Sequence, residues 1–402
     1  MGRERGGHLA VISRGENQQL SKFHNRGLIL KLICTNKGIT RVQLTEMTNL
    51  AKMTITNIVT ELIRSGVITE GIEKMNDNVG RNPIILEIST KAPKVIGVQI
   101  TRDSCTAVLS DMQLNIVERY EEKLENENNE SLLDKVSLLI RKILQHEENI
   151  LGIGISSIGQ WDVEQGLLMK VIDFWDIHDM PLRDFIEEKF HLPVYVNNDM
   201  NASALAEKLY GHGQMYHDFV YVGLTNGIGG GIVTNDEIYQ LNNGLAGEIG
   251  HISIDYNGKP CACGNRGCLE MYASIPRIEE KLQEAVGQRY TFQQFCSIGN
   301  QQEVDQVFKS VMDKLSYALV SVVNMLNCQA IILGHGGYLI PDRYIRYLEE
   351  NVNSKKVFKR GEVRVIKSSF SDEASLYGSI CCVLNVLFEG KLLENLNELQ
   401  NQ

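Results

Sequence analysis

Residues Gly247–Glu270 read GEIGHISIDYNGKPCACGNRGCLE, and this stretch decides more about the chain than any other. It places His251, Cys261, Cys263 and Cys268 within eighteen positions. Three thiolates and one imidazole form a complete tetrahedral ligand set for zinc. The glycines among the cysteines allow turns tight enough for all four side chains to meet one ion. The segment therefore predicts a zinc site.

Three closely spaced cysteines can also be free and buried, or joined in a disulfide. Buried free cysteines do not usually fall as C-x-C-x₄-C with glycines between them. A disulfide is disfavoured because Cys261 and Cys263 are too close to bridge comfortably, and because three thiols leave one unpaired. Metal binding is the interpretation that uses the whole pattern.

The same stretch carries polar groups that a metal does not fully use: Glu248, Glu270 and the second ring nitrogen of His251. A metal on one imidazole nitrogen fixes the tautomer of the ring, so that the other nitrogen can face a ligand. The pattern GE-x-GH followed by C-x-CG-x₂-GC-x-E resembles the signature of the ROK family (repressors, open reading frames and sugar kinases). The resemblance runs from about Ser21 to about Leu387. It implies that the zinc is structural and that Glu248, His251 and Glu270 bind sugar hydroxyls.

The composition is that of a globular chain of 402 residues, long enough for two or three domains. It has no N-terminal apolar signal segment, and polar residues interrupt its most apolar long stretch, so we expect no membrane span. Nine cysteines, three of them assigned to metal, fit a reducing cytoplasm. The net charge of −10 is uneven: residues 1–90 hold 12 Lys and Arg against 8 Asp and Glu, and the remainder holds 28 against 42. Only the basic head is expected to meet a polyanion.

The head has the pattern of a helix-turn-helix. Apolar residues recur at helical spacing from Asn25 to Asn36, and a capping box, Thr40-x-x-Gln43, then starts a second helix. A short turn leads to a third helix near residues 51–65. Three apolar residues of the second helix are expected in the core: Val42, Leu44 and Met47.

The DNA-binding residues are predicted on the third helix and in a wing. Polar side chains off the apolar stripe of the third helix can reach base edges and phosphates: Lys52, Thr54, Thr56, Asn57 and Thr60. Residues 67–69 and 84–88 have the pattern of two wing strands, joined by a loop that ends Gly80-Arg81-Asn82-Pro83. That loop resembles the family's Gly-Arg-x-Pro segment, which implies that Arg81 enters a minor groove. The alternatives are a three-helix packing module without DNA contact and a solvated Arg81.

We assign residues 1–20 to a disordered arm and residues 21–90 to a winged helix-turn-helix domain. From Lys94 onward, strands alternate with helices in two α/β lobes, which resemble the actin-like sugar-kinase fold. Ligands of such folds bind at the carboxyl ends of strands. We predict a two-lobed sugar-binding domain at residues 91–390, with the lobe boundary near residues 198–215. A C-terminal helix is expected to pack back on the first lobe, and residues 391–402 form a tail.

A second motif, Asn198-Asp199-x-Asn201, follows a predicted strand and matches the family's N-D-x-N. In the family's kinases, the aspartate takes the proton from the sugar hydroxyl, as suits a carboxylate in a dry cleft. From the residues alone, the Asn-Asp pair also fits a helix cap. The resemblance implies a sugar site made of Asn198, Asp199, Glu248, His251 and Glu270.

The nucleotide site departs from the family's kinases, whose first hairpin begins D-x-GG-T. Alignment places Gln99 at the aspartate, Thr101 and Arg102 at the two glycines, and Asp103 at the threonine. These residues remove a magnesium ligand, crowd the approach of phosphate and add a repelling charge. Two later loops are altered as well: Thr225-Asn226-Gly227 stands where kinases carry G-T-G, and His335 replaces a glycine.

A kept sugar pocket, an altered phosphate pocket and a DNA-reading head together resemble the repressor branch of the family, which includes xylose and N-acetylglucosamine repressors. We predict a sugar-responsive transcriptional repressor of carbohydrate-utilisation genes, without catalytic residues, that binds palindromic duplex operator DNA as a homodimer or a tetramer. A sugar, with glucose or a glucoside favoured and xylose second, is expected to release it. The alternatives are an ATP-dependent sugar kinase with an added domain and a regulator controlled by a partner protein. The choice between repressor and activator stays open.

Overall fold

The structure, a computed structural model, describes residues 18–72, 83–169, 174–240, 247–298 and 301–393. The chain divides into two compact units. The first comprises Met1–Ala92 together with Val386–Gln402, and the second comprises Pro93–Asn385. Among the helices of the described residues, none combines the length and the apolar character needed to cross a membrane.

The first unit contains three helices and a two-stranded sheet: α1 (Gln18–Thr35), α2 (Arg41–Thr48), α3 (Lys52–Arg64), β1 (Ile68–Ile72) and β2 (Ile84–Ile88). The predicted capping box starts α2. The Gln43 backbone N–H donates to Thr40 Oγ1 at 3.3 Å, and the Thr40 N–H donates to Gln43 Oε1 at 2.9 Å. β1 and β2 pair antiparallel, with Ile68 opposite Ile88. The helix-turn-helix and the wing strands are therefore present.

Two details of the first unit differ from the sequence prediction. α1 begins at Gln18, inside the segment expected to be disordered, while residues 1–17 lie outside the described part of the chain. Val42 and Met47 are exposed, so the expectation that they enter the core was wrong, and Leu44 alone of the three is buried. Val42 lies about 200° around the helix from Leu44, so the two cannot face the same core.

The last described residues of the chain, up to position 393, also contact the first unit. A Cβ on Gly27 of α1 would lie 2.1 Å from the Phe388 carbonyl oxygen, so glycine is required for this approach. A Cβ on Gly390 would likewise lie 2.6 Å from the Phe23 carbonyl oxygen. These contacts put residues from Val386 onward in the first unit, whereas the predicted sugar-binding domain ran to residue 390.

The second unit opens with a five-stranded sheet and its helices: β3 (Lys94–Ile100), β4 (Ser104–Ser110), β5 (Ile116–Lys123), α4 (Asn129–Leu144), β6 (Ile150–Ser157), β7 (Trp161–Asp162), β8 (Leu167–Leu168), α5 (Leu182–Phe190) and β9 (Val194–Asn198). The strand order is β5-β4-β3-β6-β9, and β7 pairs with β8 in a small hairpin. β3, β4 and β5 are antiparallel neighbours, whereas β6 and β9 run parallel to β3. This sheet forms the predicted first lobe.

The chain then builds a second sheet and a larger set of helices: α6 (Asp199–Tyr210), β10 (Phe219–Leu224), β11 (Ile228–Thr234), β12 (Glu237–Ile238), α7 (Glu270–Ala273), α8 (Ile275–Val286), α9 (Phe292–Ile298), α10 (Gln302–Leu326), β13 (Ala330–His335), α11 (Gly336–Leu339), α12 (Asp342–Lys355), β14 (Arg364–Lys367) and α13 (Ala374–Phe388). The strand order β12-β11-β10-β13-β14 repeats the plan of the first sheet, with an antiparallel hairpin and two parallel additions. The same α/β lobe therefore occurs twice.

The helix α13 packs on the first sheet through backbone contacts at glycines. A Cβ on Gly154 of β6 would lie 1.8 Å from the Ser379 carbonyl oxygen, and one on Gly97 of β3 would lie 2.5 Å from the Ser379 hydroxyl. Ser156 Oγ donates to the Ser375 carbonyl at 2.8 Å beside this contact. Close packing of this kind leaves no room for a side chain on either glycine.

Candidate functional site

The four predicted metal ligands lie together. Their ligand atoms, one each from His251, Cys261, Cys263 and Cys268, are all within 4.8 Å of one another. Cys263 Sγ is 3.6 Å from Cys268 Sγ, and Cys261 Sγ is 3.7 Å from His251 Nδ1. In a tetrahedral site with Zn–S bonds of about 2.3 Å, ligand atoms lie about 3.8 Å apart. The donor set and its spacing can therefore hold a metal ion.

Backbone turns bring these ligands together. Gly267 has a φ of 67°, and a Cβ there would lie 1.8 Å from the Asp255 carbonyl oxygen, so only glycine fits. The neighbouring Cys268 pairs with Ser253 in an antiparallel bridge. The Gly264 N–H donates to the Cys261 carbonyl at 3.0 Å, which closes the turn that holds Cys263. The backbone conformation and the close packing at position 267 therefore require a glycine.

The two ring nitrogens of His251 lie near different groups. Its Nδ1 points to the thiols, while its Nε2 lies 3.9 Å from Glu248 Oε2. A metal on Nδ1 would fix the ring and leave Nε2 beside the Glu248 carboxylate. Sequence reasoning missed one contact of Glu270, the first residue of α7: its Oε1 accepts from Cys261 Sγ at 3.0 Å and lies 3.4 Å from His251 Nδ1. Glu270 therefore touches the metal ligands as well as the predicted pocket.

Asn198 and Asp199 lie at the start of α6, where the parallel strand β9 ends. Asn198 is the N-cap of the helix: its Oδ1 accepts from the Met200 N–H at 2.9 Å, and its Nδ2 donates to the Gly159 carbonyl at 2.8 Å. The cap suggested by the residues alone is therefore real for Asn198. Asp199 is buried and accepts from the same Met200 N–H at 3.0 Å.

Burial controls the ionisation of Asp199 in the predicted sugar site. Burial raises the pKa of Asp199 to about 7; backbone hydrogen bonds partly oppose this shift, and the negative charge of Glu248 adds to it. The charge of Glu248 thus acts on Asp199. Glu248 Oε2 lies 3.9 Å from His251 Nε2, and Glu270 Oε1 lies 3.4 Å from His251 Nδ1. A Cβ on Gly227, in the turn after β10, would lie 3.4 Å from Glu270 Oε2. The structure places Glu248 and Glu270 beside the His251 imidazole, and Asp199 lies near enough for the charge of Glu248 to raise its pKa.

The backbone N–H groups of the turn between β3 and β4 are hydrogen-bonded within the turn itself. The hydroxyl of Thr101 accepts from the backbone N–H groups of Asp103 and Ser104, at 3.3 and 3.1 Å. The Thr101 N–H donates to the Ser104 carbonyl at 2.9 Å. Phosphate-binding turns instead present such N–H groups to the ligand. In this chain the side chain that stands at a glycine position already occupies them.

His335, at the end of β13, is a second residue that stands where the family's kinases carry a glycine. It has a φ of 51°, a backbone conformation that residues other than glycine rarely adopt. Burial lowers the pKa of His335 to about 4, so the imidazole is neutral near pH 7 and offers no positive charge to a phosphate. Its ring packs edge-on against Tyr221 with 6.1 Å between the ring centroids.

The predicted DNA-binding residues differ in their exposure. Lys52, Thr56 and Asn57 are exposed on α3, and Thr54 is half-buried. The Thr56 hydroxyl donates to the Lys52 carbonyl at 2.8 Å. Met53 is exposed on the same turn and was not predicted, because an apolar residue at a helix start is normally assigned to the core.

A groove between α1 and α3 adds residues that sequence reasoning missed. Thr54 and Asn57 line it together with Lys22 and Asn25 of α1. Polar side chains from two helices thus share one surface of the first unit. Arg81 lies outside the described residues.

Comparisons with known proteins agree with this architecture. The model of the ROK family matches residues 95–386, and a winged helix-turn-helix DNA-binding model matches residues 24–69. The chain belongs to the ROK family. The xylose repressor of Bacillus spizizenii is 32% identical over 323 residues, which cover 79% of this chain and 83% of that protein.

Solved structures share the fold. A ROK family transcriptional regulator, described as a homolog of the Escherichia coli Mlc protein, has a TM-score of 0.80 at 25% identity and covers 94% of this chain and 100% of its own. A ROK family glucokinase from Streptomyces griseus, in complex with glucose and AMPPNP, has a TM-score of 0.62 at 22% identity, covering 71% of this chain and 97% of its own. The predicted family and fold class are confirmed.

The metal-binding prediction can be tested by elemental analysis of purified protein. We expect about one zinc ion per chain, because the donor set is complete and its ligand atoms all lie within 4.8 Å of one another. Cys263→Ser should lose the metal, whereas Cys296→Ser, a change at a half-buried cysteine outside the cluster, should keep it. Undamaged wild-type protein without metal would refute the assignment.

The DNA-binding prediction concerns α3. Thr56→Ala and Asn57→Ala should relax sequence preference by about 1–3 kcal/mol while leaving non-specific binding nearly unchanged. Lys52→Ala should weaken binding to all sequences and reduce the salt slope by about one. Fluorescence anisotropy with operator and random duplexes across a salt series measures both effects. Equal loss of specific and non-specific binding in the Thr56 and Asn57 variants would show that the recognition face is misplaced.

Proposed function

We propose that the protein is a sugar-responsive transcriptional repressor, in which a sugar bound in the second unit controls DNA binding by the first. The observation that carries the proposal is the neighbourhood of Asp199, Glu248, His251 and Glu270 in the same chain as a winged helix-turn-helix. A relative that covers most of the chain is named a xylose repressor, which supports the same role.

The pocket suits the hydroxyl groups of a sugar. The carboxylates of Asp199, Glu248 and Glu270 accept hydrogen bonds from hydroxyls, and a bond to a charged group is stronger than one between neutral groups. His251 Nε2 supplies a further polar atom on the same side as Glu248. Holding several carboxylates close together costs free energy unless a ligand or partner satisfies them. The presence of these carboxylates in one place therefore favours a site that binds a ligand over one that has lost this ability.

The metal proposed here is zinc, held by His251, Cys261, Cys263 and Cys268. Zinc in such a closed four-ligand site stabilises the local fold. The chain's own contribution is orientation: with Nδ1 committed to the metal, the ring of His251 keeps Nε2 toward Glu248. Glu270 begins α7 two residues after the ligand Cys268, so the chain itself ties it to the same cluster. The metal ligands thereby position two of the proposed sugar-binding residues.

The nucleotide side supports a role without catalysis. The amides of the β3–β4 turn are occupied by Thr101, and the buried His335 is uncharged near neutral pH. Gln99 offers no carboxylate for magnesium. We propose that the chain binds a sugar without phosphorylating it.

The effector is proposed to be a neutral sugar. Three carboxylates in one pocket repel a phosphorylated ligand. The sequence favours glucose or a glucoside, and the name of the relative favours xylose, so both belong in the first panel. A thermal-shift screen ranks them, because a ligand that binds the native state raises the melting temperature by mass action.

Control of DNA binding follows from linkage. A sugar that prefers the form unable to bind the operator must itself bind less tightly when operator DNA is present. A homodimer would place two recognition helices on a palindromic operator, with half-sites roughly 34–36 Å apart or a multiple of that distance. We propose this arrangement, with a tetramer as a further assembly.

Two substitutions separate sugar binding from DNA binding. Asp199→Asn and Glu248→Gln should keep operator affinity but weaken sugar binding about tenfold or more, because each replaces a charged acceptor worth about 1.5–3 kcal/mol. Glu237→Gln, which changes an exposed carboxylate on β12, should behave as wild type. Sugar titrations of the protein–operator complex provide the measurement. Normal release by Asp199→Asn, or sugar-dependent ATP hydrolysis by the wild type in a coupled assay, would contradict the proposal.

Sugar affinity should also depend on pH. Because burial raises the pKa of Asp199 to about 7, the carboxyl is mostly protonated below that pH and loses its charged acceptor. We expect wild-type affinity to fall about tenfold from about pH 8 to about pH 6, while Asp199→Asn stays weak and flat. The raised pKa also means that ionising Asp199 destabilises the fold as the pH rises through about 7. A wild-type affinity that is flat over this range, measured by calorimetry, would exclude Asp199 as the titrating group.

A further inference from the structure

The amino group of Lys281, on α8, lies against α7 without a carboxylate partner. Its side chain is half-buried, and its Nζ donates to the Tyr272 carbonyl at 2.8 Å and lies 5.8 Å from the centroid of the Tyr272 ring. It pairs with no carboxylate within the described part of the chain, whereas the buried Lys208 pairs with Asp236. Lys281 therefore loses hydration without gaining the attraction of an opposite charge.

Three further cations lie around this amine. Arg277 is one turn earlier on α8, at a spacing that places the two side chains on the same face. The backbone N–H of Lys259 donates to the Tyr272 hydroxyl at 3.0 Å, and the Lys314 ammonium donates to a serine hydroxyl of its own helix, α10, at 3.0 Å. Among the described residues, neither of these two lysines pairs with a carboxylate. We call Lys259, Arg277, Lys281 and Lys314 the basic cluster.

The surroundings of Lys281 favour its uncharged form. Burial lowers the pKa of Lys281 to about 8, and the positive charges of Lys314, Lys259 and Arg277 add to this shift. Glu280, which pairs with Arg277 at 3.0 Å, opposes it. A desolvated lysine next to other cations is an activated nucleophile. The neutral amine can keep one N–H on the Tyr272 carbonyl while its lone pair is free to attack an electrophile.

We propose that Lys281 is an acylation site whose acyl donor is an acyl phosphate. The Nζ lone pair attacks the acyl carbon, and the bond from that carbon to the phosphate oxygen breaks. The phosphate leaves with the bonding electron pair, the nitrogen gives up a proton to water, and an amide remains on Lys281. The other members of the basic cluster attract the phosphate of the donor and bring its acyl carbon to the amine.

Two other roles fit these features less well. Lysines often donate to the last carbonyls of a helix, and Tyr272 lies in the last turn of α7. Such a cap gains nothing from three further cations, because they disfavour the charged form of Lys281. A site that only holds an anion would use the cations, but it makes no use of an amine that is partly neutral near pH 7.

Acylation would reach the proposed sugar site through α7. It removes the charge that Lys281 places on the Tyr272 carbonyl, two residues after Glu270. We expect the acylated protein to bind the sugar several-fold more weakly, since Glu270 begins the same short helix. This consequence rests on the proposed function, whereas the acylation itself does not.

Peptide mass spectrometry of the full-length protein, incubated with acetyl phosphate, tests this proposal. At about pH 7.5 we expect Lys281 to be acetylated at least about tenfold faster than Lys123, an exposed lysine of β5. Lys314→Gln should slow the reaction at Lys281 at least about threefold, because it removes one cation of the cluster. Lys142→Gln, which changes a lysine of α4, provides the matched control and should leave the rate unchanged. With N-hydroxysuccinimidyl acetate, an uncharged donor, the effect of Lys314→Gln should be smaller.

Several results would overturn the proposal. Acetylation of Lys281 no faster than that of Lys123 would leave it the role of a cap. Protection of Lys281 by inorganic phosphate, without acetylation by acetyl phosphate, would reduce the cluster to an anion site. Equal slowing of both donors by Lys314→Gln, or labelling by acetyl coenzyme A alone, would exclude an acyl phosphate as the donor. Unchanged sugar affinity after complete acetylation would remove the link to α7, whereas untreated protein that binds no sugar would refute the sensor and not the acylation site.

Discussion

The backbone contact of α13 with its neighbours is the constraint on which the proposed sugar pocket depends. On one side, Gly154 of β6 lies so close to the Ser379 carbonyl that a Cβ would be 1.8 Å away. On the other side, a Cβ on Gly378 would lie 2.2 Å from the Ala202 carbonyl of α6. Because α6 begins with Asp199, the helix α13 fixes the position of that carboxylate relative to the first sheet. A side chain at either glycine would push the layers apart, since packed interiors do not absorb an added methyl group.

The cysteine cluster applies a second constraint from the other side of the pocket. It lies in a segment with little regular structure, in which a short 3₁₀ turn ends at His251 and α7 begins at Glu270. Backbone hydrogen bonds join the two ends of this segment, from the Ile254 N–H to the Gly267 carbonyl and from the Leu269 N–H to the Ile252 carbonyl, both at 2.9 Å. A bound metal ion would add to that order. The two constraints act on different residues: α13 positions Asp199, whereas the cluster positions His251 and Glu270. The proposed sugar pocket therefore depends on segments that are far apart in the sequence.

Much of the fold follows from local sequence signals. The wing strand predicted at residues 84–88 is β2 (Ile84–Ile88), and the capping box at Thr40 starts α2 as expected. The ligand spacing of the cluster is also local, since all four residues lie within one short segment. These features could be predicted because neighbouring residues determine them.

Features that depend on distant contacts were not predictable in this way. Met47 looks apolar enough for a core, yet it is exposed because the core of the first unit takes only Leu44 from α2. The hydrogen bond between Cys261 and Glu270 depends on how two turns fold over each other. The same holds for the groove that joins Lys22 and Asn25 to α3, since it exists only once two helices have packed. A sequence pattern gives the face of a helix, but only the tertiary structure gives what that face meets.

The sugar side and the phosphate side of the pocket rest on different chemistry, and this explains how one can change without the other. Phosphate recognition in this fold uses backbone N–H groups of glycine turns, so a single side chain such as Thr101 is enough to occupy them. The proposed hydroxyl recognition uses side chains whose positions are held by α13 and by the cysteine cluster. Substitutions in the turns leave those supports untouched. A chain of this family can therefore carry altered nucleotide turns while Asp199, Glu248 and Glu270 remain in place.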